Sequence, residues 1–220
     1  MLRSRAGRGA AFHERRTRPG ERRVSPTRHA ENRLSMMLKA AMIAALTSAL
    51  SLVTVPLPFS PVPITGQTLG VCLSGLLLGP LWGTAGVGIY LAAGFFGLPV
   101  FSGGRSGFGT ILGPTGGYIL SFIPAAVTTG LIALPSGRYG PGQAGLRNKK
   151  GPPGLWRLIA ASVAGSIVVV HAIGAPYLAW QTGMSLKEAL LAGSIPFLAG
   201  DIVKAFLASI VALRYHRAVR

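Results

Sequence analysis

Beyond residue 34 the chain is a succession of apolar segments that contain only two acidic residues, Glu188 and Asp201. Half of the 220 residues are apolar and only 12% are charged, which excludes a disordered chain and an ordinary soluble enzyme. A helix of about 20 apolar residues is long enough to cross the roughly 30 Å hydrocarbon core of a bilayer. The sequence therefore predicts a polytopic membrane protein.

Prolines and glycines divide this apolar sequence into six segments, which we predict to be six transmembrane helices. The predicted spans are 36–55, 64–79, 81–96, 115–134, 158–180 and 194–213. Gly79-Pro80 predicts a tight turn between the second and third spans, and residues 182–188 predict one or two helical turns lying flat. The predicted fold class is an all-α membrane protein.

Positive charge is concentrated in three segments, and this distribution predicts the topology. The tail up to Lys39, the stretch 135–157 and the C-terminus together hold 19 of the 22 Lys and Arg residues. Cytoplasmic loops carry an excess of these residues, so six spans with both termini in the cytoplasm fit the distribution. We expect three regions in sequence: a basic, disordered tail (1–35), a transmembrane domain (36–213) that includes a basic Gly/Pro-rich loop (135–156), and a C-terminal tail (214–220).

The N-terminal tail holds ten Arg and three Glu before the first apolar run. A basic arm of this kind can bind nucleic acid, but a solvated tail facing an anionic cytoplasmic leaflet is the reading we adopt. We therefore predict no nucleic-acid partner. Met36 and Met37 stand where the first predicted span begins, so we expect residues 1–34 to be dispensable for function.

Two apolar stretches on the predicted outer side cannot continue a helix. Residues 56–63 are rich in proline, and residues 97–109 are rich in glycine. Irregular backbone near the bilayer is tolerated only where protein or a wet cavity satisfies its polar groups. We therefore expect both stretches to fold over the bundle as lids on a cavity.

The pair Asp201 and Lys204 lies three residues apart within the last predicted span, hence on one helix face. An ionisable group in a span costs at least about 2.5–3.5 kcal/mol on insertion scales, so it marks a functional site by default. The alternative is an ion pair that satisfies only itself. A carboxylate accepts hydrogen bonds from an amide or ureido N–H, whereas Lys204 or Arg105 can hold a ligand carboxylate. Gln67, Tyr90 and Tyr118 are further polar candidates near the same outer half.

Small residues recur every fourth position at Ala41, Ala45 and Ala49, and again at Gly75, Gly79 and Gly83. Such spacing lets helix backbones approach closely in lipid. It is compatible with packing inside one bundle and with a docking face for another membrane protein.

Motifs for catalysis or metal binding are absent from the sequence. It has no Walker A motif and no His-Glu-x-x-His, and a single cysteine, Cys72, forms neither an intrachain disulfide nor a cysteine zinc site. His171 and Ser166 lie on different faces of one predicted helix, so we interpret His171 as a packed or hydrogen-bonded residue. We predict neither a catalytic centre nor a metal site.

Five motifs follow one another along the chain: PVPITGQTL (61–69), GLLLGP (75–80), GLPVF (97–101), LGPTGGY (112–118) and PFxxGDxxK (196–204). In this order they resemble the BioY family, the biotin-binding S components of energy-coupling factor (ECF) transporters. The resemblance covers residues 36–213. Span five, around His171, matches loosely, and the tail and the 135–156 insert are not part of the usual pattern.

The resemblance implies a six-helix S component with an outward-facing biotin pocket closed by the loops after spans one and three. It implies ligand roles for Asp201 and Lys204 and, by the motif of the third loop, for Arg105. It also implies two kinds of partner, a transmembrane T component and two ABC-type ATPase subunits, with docking through Ala41, Ala45 and Ala49. The expected location is the plasma membrane. No cofactor is expected, and biotin is the transported ligand. The residues alone leave open an S component for another vitamin and a standalone secondary carrier.

Overall fold

The computed structural model describes residues 26–134 and 153–219. This part of the chain forms a helical bundle with one small β-hairpin. Its elements are α1 (Pro26–Leu52), β1 (Thr54–Leu57), β2 (Ser60–Thr65), α2 (Gln67–Phe95), α3 (Gly116–Ala133), α4 (Leu155–Ser162), α5 (Val170–Thr182), α6 (Leu186–Gly193) and α7 (Ile195–Ala218). A π-helical segment, Val163–Val169, joins α4 to α5.

Five helices in the described ranges are long and apolar enough to cross a membrane. They are Arg33–Leu52, Gln67–Phe95, Gly116–Ala133, Leu155–Thr182 and Ile195–Ala218. The polytopic membrane class predicted from composition is thereby confirmed.

Helix α2 is a hairpin rather than a straight rod. Gly79 has a non-helical backbone (φ 76°, ψ −175°) and precedes Pro80. Gln67 donates a hydrogen bond to the Tyr90 hydroxyl, although a straight helix would separate them by about 34 Å. Residues 67–78 and 80–95 therefore pack side by side, as the predicted turn at Gly79-Pro80 requires.

The start of α1 corrects the predicted boundary of the N-terminal tail. The helix begins at Pro26, so the last ten residues of the predicted tail are helical. Residues 1–25 and most of the predicted loop 135–156 lie outside the described residues, and the loop's last two residues already belong to α4.

The proline-rich stretch is not irregular, which corrects the all-α prediction. Residues 54–65 form an antiparallel hairpin in which Thr54 pairs with Thr65 and Val55 with Ile64. Proline cannot donate to a sheet, but a two-stranded ribbon has free edges that accommodate it. The glycine-rich stretch remains a loop with two short 3-10 turns, Ser102–Gly104 and Phe108–Thr110.

The segment predicted to form one or two helical turns lying flat, residues 182–188, corresponds in the structure to α6. This helix starts four residues later, at Leu186, and is about two turns long. Ser185 caps it: the Ser185 hydroxyl accepts from the Glu188 amide, and the Glu188 carboxylate accepts from the Ser185 amide and hydroxyl. These hydrogen bonds from the Ser185 backbone and side chain lower the pKa of Glu188. Gly183, in the left-handed conformation (φ 73°), ends α5 just before this cap.

Two buried apolar clusters form the core. The cluster nearer the β-hairpin includes Phe101, Phe122 and Phe197, and the other, toward the C-terminal ends of α3 and α7, includes Leu76 and Leu158. Glycines allow the helices to meet closely: a Cβ at Gly75 would lie 2.7 Å from the Thr129 Cβ. The glycine repeat around Gly79 therefore serves packing within the bundle.

Replacing Gly83 by Ala should destabilise the α2 hairpin. A Cβ there would overlap the Ser74 carbonyl oxygen, which is backbone and cannot move aside cheaply. We expect a loss of about 1–3 kcal/mol, measured as a lower midpoint of thermal unfolding in detergent.

Gly88→Ala is the matched control, because a Cβ at Gly88 on the same half of α2 meets nothing within 4 Å. This variant should be as stable as the parent or slightly more stable, since alanine favours helix. Equal midpoints for the two variants would contradict the hairpin contact.

Candidate functional site

Asp201 is the centre of a hydrogen-bonded network between three helical elements. Asp201 is only 3% exposed, and it lies about 9 Å along α7 from the start of that helix. Oδ1 accepts from Lys204 Nζ (2.7 Å) and from Thr68 Oγ1 (3.0 Å). Oδ2 lies 3.1 Å from His171 Nε2. The carboxylate in an apolar bundle is thus compensated by the Lys204 ammonium group and by hydrogen bonds with Thr68 and His171.

Lys204 has all three of its N–H donors engaged. Besides Asp201, Nζ donates to the Thr65 carbonyl oxygen (2.9 Å) and to Thr68 Oγ1 (3.0 Å). The ammonium therefore ties α7 to the end of β2 and the start of α2. A ligand that takes a hydrogen bond from Lys204 has to replace one of these acceptors.

A cavity adjoins this network, so the Asp201–Lys204 pair borders open space and is not enclosed by protein alone. Its empty volume is about 510 Å³, open mouth included. Apolar side chains form much of the wall, and the Asp201 network forms part of the remainder. The lining residues are Val62, Pro63, Thr65, Gln67, Thr68, Ser102, Thr115, Tyr118, Ile119, Phe122, Val170, His171, Gly193, Phe197, Asp201 and Lys204. An apolar chamber with a few convergent polar groups is typical of a small-molecule site.

Three further predicted residues surround this cavity or support it. Tyr118 lines it, and its hydroxyl donates to the Gly193 carbonyl oxygen (2.6 Å). Gln67 lines it as well, with its amide oxygen accepting from Thr65 Oγ1 (2.9 Å). Tyr90 is fully buried behind Gln67 and does not line the cavity, so any effect it has on a ligand acts through Gln67.

Arg105, like Tyr90, is a predicted binding residue that does not line the cavity. It is exposed, and it borders a separate open depression with Gly104 and Thr110. Its own loop does reach the cavity, through Ser102, and is anchored by the fully buried Phe101. The guanidinium therefore lies near the site in sequence but apart from it in this arrangement.

Sequence reasoning missed several polar residues of the cavity, and three of them bear on its chemistry. Thr68 and His171 contact Asp201 directly, and Thr115 Oγ1 is buried without a hydrogen-bond partner among the described residues. A histidine within a span is itself an ionisable group in the membrane, and that signal was available for His171. Thr115 belongs to the LGPTGGY motif, whose tyrosine alone was singled out.

The alanine stripe lies on the outside of the bundle. Ala41, Ala45 and Ala49 are exposed, whereas Ala40 and Ala44, on the other face of α1, are buried. A Cβ at Gly86 of α2 would lie 2.9 Å from the Ala40 carbonyl oxygen, so the face of α1 that carries Ala40 packs against α2. The exposed stripe is available to another protein or to lipid.

Fold and site together define the class: a multi-pass membrane protein with a cavity for a small ligand. The model of the BioY family matches residues 22–220. The chain belongs to the BioY family, and it is a multi-pass protein of the plasma membrane.

Curated relatives align over most of their length. The Rhizobium etli protein "Biotin transporter BioY" is 36% identical over 80% of this chain and 89% of its own. The Thermotoga maritima protein of the same name is 33% identical over 82% of this chain and 95% of its own. The 2.1 Å crystal structure of the S-component for biotin from an ECF-type ABC transporter matches with a TM-score of 0.72 and 27% identity. That alignment covers 85% of this chain and 93% of the other.

Tyr118→Phe should loosen α6 while leaving the α3–α5 contact in place. The ring stays packed edge-on against His171 and over Gly174, but the hydrogen bond to Gly193 is lost. We expect a cost of about 0.5–1.5 kcal/mol in thermal unfolding. Amide hydrogen exchange in α6 should become faster.

Tyr177→Phe is the matched control, because it removes a hydrogen bond of equal length, from Tyr177 to the Ile111 carbonyl oxygen (2.6 Å). Its exchange effect should appear in the loop around Ile111 instead of in α6. Unchanged α6 exchange in Tyr118→Phe would refute the assigned contact.

Proposed function

We propose that this chain binds biotin in the cavity beside Asp201 and serves as the S component of an ATP-driven ECF-type importer. The observation that carries the proposal is the buried Asp201 network at the wall of a cavity whose surface is mostly apolar. Membership of a family whose curated relatives are named biotin transporters supports the choice of ligand.

Biotin has a ureido head, an apolar ring system and a carboxylate tail. The ureido N–H groups match a carboxylate acceptor such as Asp201, and the ring system matches the apolar wall that includes Ile119, Phe122 and Phe197. Thr115 Oγ1, which has no partner among the described residues, offers a further hydrogen bond. The head group would therefore lie beside Asp201.

The carboxylate tail needs a cationic partner, and the two candidates, Lys204 and Arg105, differ in the hydrogen bonds that they would have to give up. Lys204 already donates to three acceptors, so binding a carboxylate there would break an existing contact. Arg105 has an exposed side chain on a loop that contributes Ser102 to the cavity. We therefore assign the tail to Arg105, reached when this loop moves toward the cavity mouth.

Six spans with both termini in the cytoplasm are the topology that we propose. The α2 hairpin supplies two of the six, residues 67–78 and 80–95. The cavity lies toward the β-hairpin, whereas Arg214 and Arg217 lie at the far end of α7. The excess of cytoplasmic Lys and Arg then makes the cavity face outward, with residues 54–65 and 97–113 as its covers.

Energy for uptake would come from partner subunits. The sequence has no Walker A motif, so we assign ATP hydrolysis to a pair of ABC-type ATPases that join the chain through a transmembrane T component. The exposed stripe Ala41, Ala45 and Ala49 supports α1 as the docking face. Small residues permit the close backbone approach that helix association in lipid requires.

Asp201→Asn and Lys204→Met should each weaken biotin binding by at least about 30-fold, because each removes one member of a desolvated charged pair. Calorimetric titration of the detergent-purified full chain gives the affinities. Both variants should still insert into the membrane and elute as a single species.

Ser209→Ala is the control for this titration. It removes a buried hydroxyl that contacts Ser162 (3.2 Å), about 12 Å farther along α7 from Asp201. Its affinity should stay within about threefold of the parent. Biotin affinities that do not change in either charged-pair variant would reject the site, and tighter binding of another vitamin would reject the ligand.

Ala45→Leu should abolish uptake while biotin binding persists. A branched side chain on the exposed stripe would hold a docked helix away, but it does not reach the cavity. The measurement is biotin uptake by cells that express the chain with its T component and ATPases, paired with titration of the purified variant.

Met42→Leu, a volume-conserving change at a 71% exposed position of α1, should transport normally. Normal uptake by Ala45→Leu would remove α1 as the docking face. Uptake that continues without the ATPases would favour a standalone carrier.

A further inference from the structure

We propose that His171 is a positioning residue for ligand recognition, which fixes the Asp201 carboxylate so that one acceptor position on Oδ2 stays available to a ligand N–H. The inference rests on the proposed binding of biotin and goes beyond it by naming how the acceptor is oriented. His171 Nε2 lies 3.1 Å from Oδ2, and both residues line the cavity.

The acceptor inventory of Asp201 leaves one position open. An ionised carboxylate offers about four acceptor positions, two on each oxygen. Oδ1 receives two donors, Lys204 Nζ and Thr68 Oγ1, whereas Oδ2 receives only His171 among the described residues. The remaining position is therefore on Oδ2, beside the imidazole.

The imidazole is held on both nitrogens. Because an ionised carboxylate only accepts, His171 Nε2 carries the proton toward Asp201 whether the ring is neutral or charged. Nδ1 lies 3.0 Å from Ser194 Oγ, and Ser194 is 4% exposed at the junction of α6 and α7. Tyr118 packs edge-on against the same ring, with centroids 5.9 Å apart. The ring therefore has little freedom to turn away from Oδ2.

Fixing the carboxylate has a consequence for selectivity. A carboxylate that could rotate would offer either oxygen to Lys204 and Thr68, and a ligand would meet a mixture of acceptor directions. A fixed Oδ2 accepts one N–H in one direction. A ligand with an oxygen atom in that place would leave Oδ2 without a hydrogen bond, and the two oxygen atoms would repel each other. His171 should thus control the preference for N–H groups.

The test compares two ligands on the purified full chain: biotin, and its cyclic carbonate analogue, in which oxygen replaces the ureido N–H groups. The parent should prefer biotin by about 100-fold or more. His171→Leu should lower biotin affinity by about 10- to 100-fold. Affinity for the carbonate should stay within about threefold, because that ligand donates no N–H to Oδ2. A purely structural role would weaken both ligands alike.

Two amide variants supply the matched pair. The amide nitrogen of glutamine can occupy the place of Nε2 and donate to Asp201, whereas that of asparagine occupies the place of Nδ1, toward Ser194. His171→Gln should therefore keep most of the preference for biotin, and His171→Asn should lose it. This pair also carries the test if His171→Leu does not fold.

The outcomes separate the two proposals. A parent that does not bind biotin overturns the proposed function, and this inference with it. A parent that binds biotin, together with equal loss of both ligands in His171→Leu or with equal selectivity in the Gln and Asn variants, overturns the positioning role alone.

Discussion

The buried carboxylate of Asp201 is the constraint around which the half of the bundle next to the β-hairpin is arranged. An uncompensated charge in an apolar bundle would cost several kcal/mol, so each donor around it has to be held in place by its own helix. Thr68 comes from α2, His171 from α5 and Lys204 from α7 itself. The requirement to satisfy one acid thereby fixes three elements relative to one another, and a cavity lies beside the point where they meet.

Close helix packing is what brings those three elements within hydrogen-bonding distance. The α2 hairpin turns at Gly79, and its halves touch at Gly83. A Cβ at Gly165 would lie 2.6 Å from the Ala125 carbonyl oxygen, so the π-helical segment also packs directly on the α3 backbone. The two halves of α2, at 12 and 16 residues, are shorter than a full bilayer span of about 20. Both short halves pack closely on neighbouring helices, the first on α3 at Gly75 and the second on α1 at Gly86.

The features that depend on local residue chemistry could be predicted from the sequence. The features that depend on contacts with residues distant in the chain could not. Gly79-Pro80 cannot continue a helix, so the turn was predictable, and an acid in a span marked Asp201. The hairpin at residues 54–65 was missed because prolines argue against strands, and only pairing between the two edges of a ribbon overrides them. Tyr90 was placed in the site although it is the buried partner of Gln67. The roles of Thr68 and His171 follow from contacts over 133 and 30 residues, which local pattern does not reveal.

The rim of the cavity is unequal in stiffness. On one side lies the β-hairpin, in which Pro61 and Pro63 each have a fixed φ angle. Its Thr65 carbonyl oxygen accepts a hydrogen bond from Lys204 Nζ. On the other, the loop from Phe101 passes through left-handed glycines at 103, 104 and 107, where rotation is cheap. If a ligand binds here as proposed, the glycine loop would move more easily than the β-hairpin. The β-hairpin would then set the shape of the cavity mouth, and the glycine loop would set the rates of ligand entry and release.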